Sequence, residues 1–180
     1  LLVHGSDPEL ADLITLIRTL DAHITTYDRT LATWVRKDPT AQLLMSVPPI
    51  GPVTAATICA EVGDFARFPG PRQLASYAGL ATSERSSGGT CKHGRITKVG
   101  SRYLRTACVE SAMRLRPHHD TTLFAFYERV RARSSPMKAR VALGRKLLTI
   151  CWFLVKKQEP FRALVSAPGS GTSSCVLSEA

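Results

Sequence analysis

The chain has no CxxC pair, and its five cysteines (Cys59, Cys91, Cys108, Cys151 and Cys175) are scattered and odd in number. That argues against a disulfide framework and against a zinc site. Cys91 and His93 make a metal pair without partners, so no metal ligand is assigned and reduced thiols in a cytoplasmic protein are expected. No apolar run approaches the ~20 residues that a membrane span requires, so no membrane partner is expected. Strand signals are weak throughout. Acidic residues are scarce over most of the chain, and their distribution is the first positive clue.

The formal net charge is +10, and such an excess attracts polyanions, of which nucleic acid is the commonest in a cell. Residues 1–64 carry four basic side chains against eight acidic ones, a balance of −4; the remainder carries 20 against 6, a balance of +14. Segregation of this kind marks a binding face rather than a generally soluble surface. Apolar residues at 44% leave ample material for a core in 180 residues.

Asp7-Pro8 opens a helix, with Asp7 as N-cap and Pro8 at the first helical position. Leu10, Leu13, Ile17, Leu20, Ile24, Tyr27, Leu31 and Trp34 then recur at alternating spacings of three and four, an a/d heptad pattern. The helix is expected to end near Asp38-Pro39, and about 30 residues at 1.5 Å each make a rod of roughly 45 Å. Two readings fit: a coiled coil that makes the chain a homo-oligomer through residues 8–37, or a long helix packed inside its own chain. Next, Leu43-Leu44-Met45 is followed by Val47-Pro48-Pro49-Ile50-Gly51-Pro52 and a small-residue helix from Val53 to Val62, closed by Gly63. Helix, glycine turn and alanine-rich helix resemble a helix-hairpin-helix, which offers backbone N–H groups to a DNA phosphate. Pro49 stands where that motif usually has its first glycine, and a purely structural αα-hairpin fits as well.

Pro69-Gly70-Pro71 breaks the chain before a short helix to Ala78. Residues 80–99, rich in Ser, Gly and Thr, read as the longest loop of the body, and long ordered loops are disproportionately functional. A helix follows from Ser101 to about Leu115, with Leu104, Ala107, Cys108, Ser111, Ala112 and Leu115 as its inner stripe; others are expected near 121–132 and 136–156. The class is all-α: a long N-terminal coiled-coil helix (1–42), a compact helical domain containing a helix-hairpin-helix-like turn and a serine loop (43–165), and a flexible tail (166–180).

Between Glu84 and Glu110 there is no acidic residue, while Arg85, Lys92, Arg95, Lys98, Arg102 and Arg105 occupy the interval, with Ser86-Ser87-Gly88-Gly89 near its beginning. Gly88 and Gly89 let backbone approach a ligand closely, and the six cations can hold a phosphodiester and offset charge developing on it. A serine needs a base or metal to become a nucleophile, and nothing local supplies either. On composition this is equally a solvated loop that touches phosphate. From Arg129 to Lys157 nine more basic residues precede the next acid, Glu159, suited to phosphate contacts that position a duplex without reading it.

Leu44 to Gly51, Gln73-Leu74-Ala75-Ser76-Tyr77-Ala78-Gly79-Leu80, Ser87-Gly88-Gly89, Gly94-Arg95-Ile96-Thr97-Lys98-Val99-Gly100 and Tyr103-Leu104-Arg105 together resemble the C-terminal half of insertion-sequence transposases of the "one hundred and ten" type. The likeness runs from roughly residue 43 to 116. It implies a composite active site: a RuvC-like domain whose four acidic residues hold Mg2+, and a serine, here Ser87 rather than Ser86, that attacks DNA and becomes covalently linked to it. It also implies DNA and a structured guide RNA as partners. Thr82 stands where the family commonly has proline. No acidic quartet precedes residue 43, and the chain starts at Leu1 without Met. It is therefore expected to be the C-terminal part of such an enzyme, binding nucleic acid but inactive without the acidic domain. A non-catalytic helix-hairpin-helix module and an inactive transposase remnant are the alternatives.

Overall fold

A computed structural model describes residues 8–87 and 90–162, with 84–93 described by backbone alone. The expected tail, 166–180, lies outside the described residues. The architecture is all-α, with seven α-helices and one two-stranded hairpin among the described residues.

Helix α1 (Pro8–Lys37) places Glu9 in its first turn and Arg36 and Lys37 in its last, charges that complement the helix dipole. Thr15, Thr19, Thr25, Thr26, Thr30 and Thr33 each donate their hydroxyl to the carbonyl four residues back at 2.8–3.0 Å, sharing acceptors that the helix ladder also uses. The heptad stripe is bare over most of the rod: Leu10, Leu13, Ile17, Leu20 and Ile24 are 51–57% exposed. Val35 is buried, and Leu31 packs against the edge of the core. The described residues of the chain itself therefore leave this stripe uncovered.

Asp38 separates α1 from α2 (Pro39–Met45). It is held extended by the proline that follows, and its carboxylate accepts from the Thr40 and Ala41 amides at 2.8 and 3.0 Å. A turn over 46–51 leads to α3 (Pro52–Val62), which begins on proline after an uncapped Gly51. Its small residues Thr54, Ala55 and Ala56 are buried, and the Thr54 and Ser111 hydroxyls meet at 3.2 Å between α3 and α5. A 3-10 turn (Phe65–Arg67) and α4 (Pro71–Tyr77) follow.

The stretch 80–99 does not stay a loop. Thr82–Ser87 (β1) and Thr90–Ile96 (β2) pair antiparallel. Backbone pairing across a short turn needs no apolar alternation when the hairpin lies outside the core, which is why the sequence pattern does not announce it. Gly88 and Gly89, which join the strands, lie outside the described residues.

The rest of the body is α5 (Arg102–Arg114), α6 (Thr121–Arg133) and α7 (Pro136–Lys157). Helix α7 is the spine, packing against α2, α4, α5 and α6. Its Ala139, Leu143, Leu147, Leu148 and Cys151 are fully enclosed. Gly144 brings it close to α5, since a Cβ there would lie 3.1 Å from the Cys108 carbonyl oxygen. Trp152 Nε1 donates to the Phe68 carbonyl at 3.2 Å, tying the spine to the segment before α4. Among the described residues no helix is long and apolar enough to cross a membrane.

Candidate nucleic-acid interface

Two glycines determine how the hairpin leaves the body. Gly79 (φ +67°) and Gly100 (φ +117°) occupy conformations that side chains rarely adopt. They also sit where two backbone segments cross. A Cβ on Gly100 would run into the Tyr77 carbonyl oxygen, and one on Gly79 would lie 2.8 Å from the Val99 carbonyl oxygen. The crossing is closed by Thr97 N–H to Ala81 O at 2.9 Å, Lys98 N–H to Gly79 O at 3.1 Å and Ser101 N–H to Tyr77 O at 2.9 Å.

Side chains lock the same point. Half-buried Arg105 donates from Nη1 to the Ala78 and Lys98 carbonyls at 3.1 and 3.2 Å. Ser101 caps α5 by accepting from the Leu104 amide at 3.0 Å and donates to Glu61 Oε2 at 2.6 Å. Tyr77 donates its hydroxyl to the Glu61 carbonyl at 3.2 Å. The Arg67 guanidinium lies 4.7 and 4.8 Å from the Phe68 and Tyr77 ring centres. The C-terminal end of α3, the end of α4 and the start of α5 thus share one fixed platform.

From this platform the ladder runs outward. Ser83 Oγ donates to the Arg95 carbonyl at 3.0 Å. Arg85 is registered opposite Lys92, Ser86 opposite Cys91, and Ser87 opposite Thr90. Ser87 is therefore the last residue of β1, at the end away from the platform. Arg85 shares its pleat phase two residues back.

The nine residues singled out from the sequence fall into three groups. Ser87, Arg85 and Lys92 lie on the two strands by backbone placement, their side chains being outside the described residues, as are Gly88 and Gly89 entirely. Arg95, Lys98 and Arg102 are exposed around the platform. Arg105 differs from the rest: part of its guanidinium is occupied by two backbone carbonyls, which makes it a structural tie at the hairpin base. Sequence reasoning missed Glu61, Ser101 and the Gly79–Gly100 crossing. Ser101 carried a legible N-cap signal, whereas its partner Glu61 is 40 positions away and carried none.

At the α2–α3 turn, Gly51 provides no side-chain cap, and Arg114 Nη1 reaches within 3.9 Å of where a Gly51 Cβ would stand. A guanidinium thus lies close to the positive end of a helix dipole. Among the described residues, no group of three histidine, cysteine or carboxylate side chains could hold a metal ion.

Residues 41–128, which span the α2–α3 turn, the platform and the hairpin, match the model of the transposase IS116/IS110/IS902 family. The chain is 31% identical over 156 residues to the "Probable family 20 transposase" of Pseudomonas aeruginosa, covering 85% of this chain and 46% of that protein. It is 31% identical over 153 residues to the transposase for insertion sequence element IS1111A of Coxiella burnetii, covering 83% and 42%. It is also 32% identical over 123 residues to the pilin gene-inverting protein of Moraxella bovis, covering 67% and 38%. The chain spans less than half the length of these curated relatives.

Proposed function

We propose, from the premise that residues 41–128 are a transposase domain of the IS116/IS110/IS902 family, that this chain binds DNA and supplies Ser87 as nucleophile for strand cleavage and exchange. The observation that carries the reading is the position of Ser87: the outermost residue of β1, beside Gly88-Gly89, on a hairpin whose base is fixed to the body. A nucleophile has to be held in register with the groups that orient it, and a serine at the end of a ladder whose base is locked meets that demand. Arg95, Lys98 and Arg102 are exposed around the platform, and with Arg85 and Lys92 in the strand sequences they supply positive charge that can hold the scissile phosphate and offset charge developing on its oxygens.

In the reaction Ser87 Oγ attacks phosphorus and a serine–phosphate ester forms. The bond from phosphorus to one deoxyribose oxygen breaks. That oxygen leaves with the electron pair and takes up a proton, while the serine proton passes to a base. The segment between Glu84 and Glu110 has no carboxylate to act as that base. Among the described residues no group of side chains fits a metal ion, so the Mg2+ that the resemblance implies would be held by the acidic residues of the RuvC-like domain that it also implies. No step here is routed through it. A structured guide RNA, also implied by the resemblance, has the same basic surface available to it, and the bare stripe of α1 suits self-association through residues 8–37.

The test joins this chain to an acidic RuvC-like domain and follows a labelled DNA substrate. The expected outcome is a covalent protein–DNA adduct that Ser87→Ala abolishes and Ser86→Ala does not, with DNA binding retained in both. Undiminished recombination by Ser87→Ala would falsify the nucleophile assignment. A second reading, a non-catalytic helix-hairpin-helix module, is favoured by the uncapped start of α3 with Arg114 beside it. It predicts that Arg114→Gln weakens DNA binding as much as any substitution near the hairpin.

A further inference from the structure

Helices α6 and α7 hold two cations against one aromatic ring, away from the hairpin. Phe126 of α6 is half-buried. The Arg129 guanidinium carbon lies 5.6 Å from its ring centre, and Lys146 Nζ of α7 lies 4.7 Å from it. Attraction to the ring face positions both groups, but it leaves two positive charges side by side. Burial, and next the Arg129 charge, push the Lys146 ammonium below its ordinary value. Among the described residues neither cation has a carboxylate in ion-pairing range; the neighbouring Glu128 pairs with Arg131 at 3.1 Å. After Glu128 the sequence has no further acid before Glu159.

An unneutralised, partly desolvated pair of like charges opposes folding. A glutamate facing the pair would relieve it, but Glu128, the glutamate that α6 carries, pairs with Arg131 instead, and α7 carries none. The countercharge is therefore expected from a ligand. It must be anionic, small enough at its charged centre to lie between a guanidinium and an ammonium, and rich in acceptor oxygens, which describes a phosphate group. The continuing run of Arg131, Arg133, Lys138, Arg140 and Arg145 on the same two helices suits a repeating anion rather than an isolated one.

We propose that Phe126, Arg129 and Lys146 form a phosphate-binding site on the α6–α7 face that takes the sugar–phosphate backbone of a nucleic acid strand, in addition to the contacts around the hairpin. The proposal rests on the nucleic-acid reading above but not on Ser87 as nucleophile. Two of its three residues lie beyond the segment that the family model matches.

The experiment uses the whole 180-residue chain with two labelled probes, a duplex DNA of arbitrary sequence and a hairpin RNA, titrated at several salt concentrations. Lys146→Met, which keeps the stem over the ring, and Arg129→Gln are each expected to weaken binding about three- to tenfold. Each should also lower the salt slope on duplex DNA by about 0.9. Their thermal midpoints should stay level or rise, because a like-charge neighbour is gone. A loss on DNA alone, on RNA alone or on both supports the site and identifies which backbone it takes. Unchanged affinity and slope with both probes, while Lys98→Gln still weakens binding, would overturn this site and leave the nucleic-acid reading standing. Failure of the unmodified chain to bind either probe would sink both. Weaker binding accompanied by a large fall of thermal midpoint in both variants would make the pair structural, and the site would again be rejected.

Discussion

Helices α1 and α7 are the two long helices of the chain, 30 and 22 residues, and both carry a continuous apolar stripe. On α7 that stripe is enclosed: Leu143, Leu147 and Leu148 are at most 1% exposed, with α4, α5 and α6 around them. On α1 the equivalent residues stand in the open, Ile17 and Ile24 at 57%. Periodicity shows that a helix has an apolar face; it does not say whose surface covers that face. The α7 stripe is answered by the chain itself, and the α1 stripe, up to its last turns, is not.

The sharpest way to break this contrast is to truncate one stripe residue on each of the two helices. Leu147→Ala on α7 is expected to lower unfolding free energy by about 2–5 kcal/mol, read from urea denaturation. A loss no larger than that of a surface substitution would contradict the enclosed spine. Gly144→Val, which pushes a branched side chain against the α5 backbone, should lower it by about 1–3 kcal/mol and shift the urea midpoint accordingly.

A subtler check uses pH. Burial pushes the Cys108 thiol, on the α5 side of the same contact, up to about 12. The folded chain thus keeps this proton after the unfolded chain has lost its own near the ordinary thiol value of 9.0. The stabilisation from the neutral thiol is complete below that value and is lost as pH rises from 9 towards 12. Cys108→Ala should flatten the decline of thermal midpoint over that window, and an identical slope would show that the thiol is not held neutral by the fold. The smallest effect is expected on α1. Ile17→Ala should change unfolding of the dilute monomer by no more than about 0.5 kcal/mol, while weakening self-association in sedimentation if two copies share this stripe.

Much of the scaffold was legible in the residues. Asp38-Pro39 ends α1 because proline disfavours helical backbone at the residue before it, while the expected cap Asp7 lies outside the described residues. The inner stripe of α5 (Leu104, Ala107, Cys108, Ser111, Ala112 and Leu115) is buried, since a 3.6-residue period against a core leaves little freedom. The hairpin was not legible. Thr, Ser, Glu and Arg on β1 show no apolar alternation, and backbone pairing with β2 is a relation between segments rather than a property of either one. Arg105 shows the other limit. Composition counts it as one more cation, yet its environment gives it two carbonyls to hold. The Phe126–Arg129–Lys146 cluster was visible only as charge, because the ring that gathers the two cations lies on a different helix from the lysine.

The crossing at Gly79 and Gly100 has a consequence for how this protein can vary. The chain enters the hairpin and returns from it through the same pair of touching backbones, so everything between Thr82 and Ile96 is a closed excursion whose ends do not depend on its length. Doubling such an excursion adds only about 0.6 kcal/mol of closure entropy. Hairpins of other lengths or sequences could be exchanged on the same mount without redesign of the helices beneath, whereas a methyl group added at Gly100 would dislodge the mount itself.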